Sequence, residues 1–397
     1  MGAFEKVLFN KIKQDHEYIV DLRRQFHKYP EISKEEKKTA LKIEEELDKI
    51  GVFHKRVGDY GIAAYIKGNK AGNKKIVLRA DIDALPIEEE NEVPYKSTIK
   101  NRMHACGHDA HTASLIGAAR ILNNLKDSFG GDILLSFQQG EETGYGAKVV
   151  IENNIIDGYD RTFGLHCASY IKTGQIALTS GAVNASVDYF KIVVNGRAAH
   201  VSTPELGIDA LYISSLIVTS IQAITTRKNS PSEPLLIGIG KLEAGDAYNI
   251  IAKNASLEGT IRSFDENVRA KTKKDIVNLA TSIAKSFGAT VDFIWADFTS
   301  VLVNDKESTN EAKIVASDLF GINNVIEKEK SLGGDDFAEY IKKVPGVYGF
   351  FGTGNPNKKN TELPHHDTRF DIDEDALINS VALYVSYAIR FLNNYIK

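Results

Sequence analysis

Apolar and polar residues in the first part of the chain alternate with two periodicities. An S-x-x-E capping box at Ser33 and a glycine at Gly51 enclose an apolar stripe at helical spacing, which predicts a helix between them. The residues of that stripe are Ala40, Ile43, Leu47 and Ile50. A second helical pattern covers 109–126, and apolar runs predict strands at 61–66, 75–80, 132–137 and 161–165. Strands that alternate with helices predict an α/β fold, in which the continuous apolar strand 132–137 is covered on both faces.

The middle of the chain has a different order of elements. Strand patterns occur at 188–195, 234–242, 256–261 and 290–295, and helical patterns at 207–227 and 265–287. The resulting order β-α-β-β-α-β is the split βαβ, or ferredoxin-like, arrangement, which forms a domain by itself. We therefore predict an inserted α+β domain over 182–297, so that 1–181 and 298–397 form one discontinuous domain. The C-terminal part predicts helices over 309–320, 335–343 and 373–393 and a strand over 346–352.

Composition excludes several classes of protein. Lys and Arg together number 49 against 53 Asp and Glu, a net charge of -4, which does not favour binding to nucleic acid. The two cysteines cannot form a disulfide framework, and the N-terminus lacks the apolar core of a signal peptide. The longest uncharged stretch, 210–226, is too short and polar to span a membrane. We expect a cytoplasmic protein that binds neither nucleic acid nor membrane.

Two segments at predicted strand ends carry side chains that bind metals. The segment 104–111 holds His104, Cys106, His108 and His111, and its glycine allows a sharp turn. This density favours metal binding over a histidine-rich loop, although the spacing matches no structural zinc motif. The second segment is the pair 141–142, two glutamates that follow the strand at 132–137. One carboxylate of such a pair can bind a metal while the other acts as a general base.

Three weaker signals point to the same edge of the sheet. His166 follows the strand 161–165, and the pair 365–366 adds two histidines from a C-terminal loop. Asp81 and Asp83 also follow a strand, where carboxylates can orient a ligand histidine from behind. Each signal alone favours an ordinary core histidine or an exposed loop. Together they supply what a metal-activated water needs, namely ligands, an open coordination position and a free carboxylate.

The order of these motifs resembles the di-metal aminoacylase/carboxypeptidase family of metallopeptidases. The motifs are R-A-D-I-D-A-L-P (79–86), M-H-A-C-G-H-D-A-H (103–111), E-E-x-G-x-G-A (141–147), G-L-H (164–166), G-x-x-A-H (196–200) and H-x-x-x-F-D (366–371). More narrowly, the chain is similar to the amidohydrolase branch, which holds hippurate hydrolases, N-acyl-L-amino-acid amidohydrolases and indole-acetyl-amino-acid hydrolases. The resemblance covers essentially the whole chain. It implies a di-metal exopeptidase-like catalytic domain, a mixed sheet flanked by helices, with the inserted domain as lid and dimerisation surface.

The resemblance also implies a ligand set for two divalent ions, which can be zinc, manganese, cobalt or nickel. Cys106 would bridge the two ions, and the other ligands would be His108, Glu142, His166 and His366. His366 is preferred to its neighbour because it stands four residues before Phe370, as in the family motif.

The resemblance also implies roles for four further residues. Glu141 would be the general base. His200, in the inserted domain, would polarise the substrate carbonyl, and Asn249 and Arg262 would hold the substrate carboxylate. The inserted domain would pack against a partner subunit, so we expect a homodimer or homotetramer.

The expected activity is metal-dependent hydrolysis of the amide bond of N-acyl-amino acids. One alternative is a dipeptidase or carboxypeptidase that acts on free peptides by the same mechanism. Another is a metal-binding homologue without catalysis, which the retention of Glu141 argues against, because this residue binds no metal in the scheme. The chain departs from the family at Gln139-Gly140, at Thr143 and Tyr145, and at Asp335, where the family often has Glu. These departures leave the ligands intact and bear on the substrate pocket.

Overall fold

The computed structural model describes residues 3–394 of the chain. Its helices are α1 (Ala3–Gln14), α2 (His16–Lys28), α3 (Lys37–Lys49), α4 (His108–Asn124), α5 (Gly146–Glu152), α6 (Ala210–Ala223), α7 (Glu266–Ser286), α8 (Lys306–Phe320), α9 (Phe337–Lys343) and α10 (Leu377–Leu392). Its strands are β1 (Phe53–Val57), β2 (Gly61–Lys67), β3 (Lys70–Asp81), β4 (Gly130–Gln138), β5 (Arg161–Lys172), β6 (Ile176–Ala177), β7 (Gly181–Asn184), β8 (Ser186–Asn195), β9 (Leu235–Ala244), β10 (Asn254–Ser263), β11 (Thr290–Thr299), β12 (Leu302–Asn304), β13 (Val325–Ile326) and β14 (Gly346–Gly354).

The chain forms two compact units. The second unit consists of Ala182–Leu302 and Lys330–Gly334, and the first holds the segments before, between and after these two. The first unit contains an eight-stranded sheet in the order β1-β2-β4-β3-β5-β14-β6-β13. The strands β4, β3, β5 and β14 run parallel to one another, whereas β1 pairs with β2, β2 with β4 and β14 with β6 in antiparallel fashion. The sheet is therefore mixed.

Helices α4 and α10 are buried along almost their whole length in the core of the first unit. Apolar side chains of both helices pack in one cluster with those of β3, β4 and β5. Because β3, β4 and β5 are parallel, their carboxyl ends meet at one edge of the sheet, where open α/β sheets place their sites. Helix α4 begins at this edge, since its first residue, His108, contacts Asp83 just beyond β3.

The second unit is an antiparallel sheet in the order β11-β8-β10-β9. Apolar residues of α6 and α7, such as Ile217 and Ile276, form one core with inward-facing residues of the sheet such as Ile192 and Leu257. Both helices begin at an aspartate whose side chain accepts hydrogen bonds from backbone N–H groups of the first turn. This is the β-α-β-β-α-β order that the sequence predicts.

The structure corrects the sequence prediction at the start of α3. This helix begins at Lys37, and neither Ser33 nor Glu36 bonds its first turn, so the predicted capping box is wrong. The N–H of Thr39 in that turn donates to Glu31 instead, at 2.8 Å. The hydroxyl of Ser33 instead donates to Asp83 Oδ2 at 2.7 Å, and Glu36 Oε1 accepts from the backbone N–H of Gly140 at 2.7 Å. Both residues bond to segments distant in sequence rather than to their own helix.

Many other boundaries also differ from the prediction. β5 extends to Lys172, α10 begins at Leu377 after a 3-10 turn at Glu374–Ala376, and the helix predicted from 335 begins at Phe337. None of the helices in residues 3–394 is long and apolar enough to cross a membrane.

Candidate metal centre

The segment before α4 turns sharply and presents two neighbouring side chains to the sheet edge. Gly107 has φ 88°, and a Cβ at this position would stand 2.2 Å from the sulfur of Cys167. No other residue fits there without displacing the strand, so glycine is required between Cys106 and His108. The carboxyl end of β4 turns in a similar way, because Gly140 has φ 61° and leads into the 3-10 turn Glu141–Thr143.

The five expected ligands come together in two groups that share one residue. In the first group, ligand atoms of Cys106, His108 and His166 lie within 4.8 Å of one another. In the second, the same holds for Cys106, Glu142 and His366. The sulfur of Cys106 therefore belongs to both of these groups, and a further group joins His108, Glu141 and Glu142.

The donor atoms of this cluster fit divalent cations. His108 Nε2 and Glu142 Oε1 are both buried without a hydrogen-bond partner, and they lie 3.9 Å apart. Burial, together with Glu142 and Glu141, raises the pKa of the Cys106 thiol well above its usual range. Buried polar atoms without partners are rare in proteins, and a cation between them would satisfy them and draw off the thiol proton. Thiolate, imidazole and carboxylate ligands together suit a transition metal.

Asp83 orients two of the expected ligands. Its Oδ1 and its backbone oxygen lie 3.2 and 3.0 Å from Nδ1 of His108, which points Nε2 into the cluster. Its Oδ2 accepts from the backbone N–H of Glu142 at 3.0 Å. A carboxylate behind a ligand histidine is the usual arrangement in metal sites.

Asp81 hydrogen-bonds a different histidine, His111. It accepts from Nδ1 of His111 at 2.6 Å and from Arg79 at 2.6 Å. The other nitrogen of His111 accepts from the backbone N–H of Cys167 at 2.8 Å, so both of its nitrogens are occupied. Asp81 Oδ2 also faces His108 Nε2 at 3.6 Å. We assign His111 to support of the site rather than to metal binding.

Two other histidines of the sequence motifs lie beside the cluster without joining it. His365 directs Nδ1 to the backbone oxygen of Cys106 at 3.2 Å and packs against the rings of His166 and Phe370. His104 is buried with neither nitrogen hydrogen-bonded, and burial lowers its pKa to about 4. It is therefore a neutral core residue.

Glu141 is buried next to the two groups. Its Oε1 lies 3.4 Å from the backbone nitrogen of Asp336, and burial raises its pKa well above the usual range, with a further rise from Asp335 and Glu142. The side chain of Asp336 is fixed in turn by hydrogen bonds from Gln138, the backbone of Ala147 and other donors. Glu141 is thus a carboxyl group with high proton affinity on a fixed support, which suits proton transfer.

Two of the three expected residues of the second unit are neighbours, whereas the third, Arg262, pairs with Val187 towards the opposite end of the sheet. His200 pairs with Ile250 through an isolated bridge, and Val201 donates to the backbone oxygen of Asn249, so the two expected residues are neighbours. The His200 side chain is exposed, and its Nδ1 is 2.7 Å from the hydroxyl of Ser202. Arg262, on β10, is half-buried and bonds Thr260 and its own chain, and no carboxylate of the described residues pairs with it.

Four supporting residues were missed at the level of sequence. Ser33 and Glu36 hold Asp83 and the turn before Glu141, as described above. Arg23 and His27 of α2 are buried and both bond Asp109, which directly follows His108. The only available signal was an Arg and a His at helical spacing on one face, a pattern common on solvated helices.

Comparisons with known proteins identify the family and the fold. Residues 77–390 match the model of peptidase family M20/M25/M40. Over 99% of this chain and 100% of the relative, 41% of residues are identical to thermostable carboxypeptidase 2 of Saccharolobus solfataricus. The N-acetyl-L-cysteine deacetylase of Bacillus subtilis is 37% identical over 95% of this chain and 88% of its own length.

A solved structure of similar fold comes from Bacillus subtilis and is described as a dinuclear metal-binding peptidase of the M20 family. It superimposes with a TM-score of 0.84 and 32% identity, over 96% of this chain and 99% of that one. The fold class expected from the sequence, an α/β catalytic part with a mixed sheet and an inserted domain, is thereby confirmed.

Proposed function

This chain belongs to peptidase family M20/M25/M40, and we propose that it is a metal-dependent amidohydrolase that cleaves the amide bond of N-acyl-amino acids. The observation that carries the proposal is the pair of ligand groups sharing Cys106, with the buried carboxyl group of Glu141 beside them. A relative of this length that is named a deacetylase of N-acetyl-L-cysteine supports this substrate class.

The ligands of the two ions are proposed to be Cys106, His108, Glu142, His166 and His366. When bound, the ions supply Lewis acidity to the scissile carbonyl and lower the pKa of a water towards neutrality. Zinc, manganese, cobalt and nickel all suit this donor set. Refilling metal-stripped enzyme with each ion, and measuring activity and stoichiometry, tests both the number and the identity of the ions.

Glu141 is proposed to take the proton of the attacking water and to hand it to the leaving amine. Its Oε1 faces the backbone nitrogen of Asp336, which leaves Oε2 to hold the proton. The high proton affinity caused by burial and by Asp335 lets the carboxyl group keep that proton until the amine leaves. Arg79 and Gln138 fix Asp336 and thereby the orientation of Glu141.

The substrate carbonyl and carboxylate are proposed to be held by the second unit. His200 would donate to the oxyanion, a contribution of about 3 kcal/mol for a typical donor. Arg262 lacks a carboxylate partner among the described residues and is available for the α-carboxylate of the substrate. Asn249, which lies towards the opposite end of β10, is proposed as a second contact of that carboxylate. We further propose that the enzyme is a homodimer or a larger homo-oligomer formed through the second unit.

The test is a substrate panel with two variants. Wild-type enzyme should hydrolyse N-acetyl- and N-benzoyl-amino acids, and Glu141→Gln should abolish turnover while the metal content stays unchanged. Turnover retained by Glu141→Gln would remove Glu141 from its role. Absence of hydrolysis of every N-acyl-amino acid would refute the substrate class.

A second candidate is a carboxypeptidase or dipeptidase activity on free peptides. The similarity to thermostable carboxypeptidase 2 favours it. Unmodified dipeptides and N-blocked dipeptides, assayed beside N-acetyl-amino acids, separate the two activities, because they differ only in what stands on the acyl side of the scissile bond.

A further inference from the structure

Lys328 is a half-buried cation in the first unit that no carboxylate neutralises. Its ammonium group donates only to the backbone oxygen of Glu329, at 3.4 Å, and none of the residues described forms an ion pair with it. The neighbouring acid Glu327 is engaged by Lys313 at 2.6 Å. Burial lowers the pKa of Lys328, so the charge is partly desolvated. Buried charges in proteins are normally paired, and an unpaired one calls for a partner.

The side chain of Lys328 lies next to an aromatic ring that contacts the candidate metal centre. Phe350 of β14 is the register neighbour of His166 on β5, and their rings lie 6.1 Å apart. The ammonium of Lys328, two residues beyond β13, lies 4.4 Å from the centre of the Phe350 ring. One aromatic ring therefore separates the ammonium of Lys328 from an expected metal ligand.

Two aromatic rings, those of Phe350 and Tyr170, lie next to the ammonium of Lys328, and we call this pair of rings the apolar wall. The ring of Tyr170, a residue of β5 that is 62% exposed, has its centre 6.0 Å from the ammonium. The two rings offer the cation a weak attraction, which is smaller than that of a carboxylate partner. A ligand that extends along this wall from the metal centre would meet the ammonium with its distal end.

We propose that Lys328 binds a second carboxylate of the substrate, at the end remote from the scissile amide. The enzyme then prefers N-acyl-amino acids that carry an acidic group over their neutral isosteres. That acidic group belongs either to the side chain of the amino acid or to a dicarboxylic acyl group. This inference rests on the proposed function, since it concerns which N-acyl-amino acids are the better substrates.

Matched pairs of substrates test the inference and separate the two sources of the carboxylate. N-acetyl-glutamate is compared with N-acetyl-glutamine, and N-succinyl-alanine with N-succinamoyl-alanine, by kcat/KM. In wild-type enzyme the acid of at least one pair should exceed the amide by about tenfold or more, as a charge-assisted contact provides. Lys328→Met should lower kcat/KM for the acidic substrate and leave kcat/KM for the amide unchanged, so that their ratio falls close to one. Lys328→Arg should retain most of the preference for the acid.

The control is Lys306→Met, which removes an exposed lysine at the start of α8, next to the opposite end of β14. It should leave both ratios unchanged. An unaltered acid-to-amide ratio in Lys328→Met would overturn the inference, and so would an equal loss on both members of a pair, which would assign Lys328 a purely structural role.

Equilibrium binding distinguishes failure of this inference from failure of the proposed function. The same substrate pairs are titrated into metal-loaded Glu141→Gln, with and without Lys328→Met, by calorimetry. If wild-type enzyme hydrolyses no N-acyl-amino acid, the proposed function fails, and the binding ratio alone decides on Lys328. Equal binding of acid and amide in both proteins would refute the role of Lys328 even where hydrolysis is observed.

Discussion

Arg23 donates from Nε to Asp109 Oδ2 across 2.8 Å, and both side chains are fully buried. A second nitrogen of the same guanidinium donates to Asp371 Oδ1, also at 2.8 Å. Asp109 follows the expected ligand His108, and Asp371 ends the motif that begins with the expected ligand His366. One arginine of α2 therefore ties together two segments that are remote in sequence and that both supply the metal centre.

Replacement of Arg23 should destabilise the protein strongly. Arg23→Met leaves Asp371 without this buried cation and Asp109 with His27 alone. Loss of one partner of a buried ion pair costs about 3–5 kcal/mol. Arg24→Met is the matched control, because Arg24 is 44% exposed and its pair with Glu374 should be worth about 0–1 kcal/mol. Urea unfolding of the metal-free proteins measures both. Equal losses in the free energy of unfolding would show that the buried ion pairs stabilise the protein no more than the exposed pair does.

His27 should make stability depend on pH in the alkaline range. Burial and Arg23 lower its pKa, but Asp109 and Glu89 outweigh them and raise it from 6.5 to about 9. A histidine that binds its proton more tightly in the folded state stabilises fully below pH about 6.5 and loses this stabilisation as the pH rises through about 9. The loss should amount to ~3 kcal/mol at most.

Chemical denaturation between pH 6 and 10 measures this dependence. The variant His27→Gln keeps a polar side chain of similar length but cannot titrate, so its stability should fall less over this range. Parallel curves for the two proteins would contradict the assignment.

The expected ligands and the supporting residues differ in how far sequence alone could predict them. Cys106 and His108, or Glu141 and Glu142, stand close together in the chain, and their chemistry is visible in a local motif. The partners of Arg23 lie 86 and 348 positions away, so no local pattern reveals that they meet.

The residues Ser33 and Glu36 illustrate a second limit. Their spacing has a sufficient local explanation, the capping box, and that explanation is wrong because both side chains find partners across the fold. Strand and helix positions were predictable because periodicity is set by burial of one face. The bonds that Ser33 makes to Asp83 and Glu36 to Gly140 depend on tertiary packing.

Glu36 should support turnover by holding the turn that carries Glu141 and Glu142. Its Oε1 accepts from the N–H of Gly140, and this hydrogen bond needs an acceptor rather than a charge. Burial, with a contribution from Asp83, raises the pKa of Glu36 to about 7. Glu36→Gln retains an acceptor and should keep most of kcat, whereas Glu36→Ala should lower kcat by about tenfold, as losses of groups that orient metal ligands do. Steady-state kinetics on one N-acetyl-amino acid compares them, and equal activities would refute the role.

Cys106 should matter for both metal ions, because its sulfur belongs to both ligand groups. Cys106→Ala should weaken both binding steps by more than about tenfold, whereas His166→Ala should weaken one step and leave the other nearly unchanged. Stepwise metal titration with a competing chelator resolves the two steps. Two unchanged steps in Cys106→Ala would show that Cys106 does not bridge, and loss of only one step would assign it to a single ion.

The role proposed for His200 makes a prediction about mixed oligomers. In the family that the chain resembles, this histidine serves the centre of the partner subunit. In a dimer of one Glu141→Gln subunit and one His200→Ala subunit, the second subunit keeps its general base and receives an intact histidine from the first. Random reassembly of equal amounts makes about half of the dimers mixed, each with one complete centre, so about a quarter of wild-type activity should return. Each variant reassembled with itself should stay inactive while remaining dimeric by gel filtration. Recovery confined to background would mean that every centre is built from one chain, and His200 would then have to act on the substrate of its own subunit.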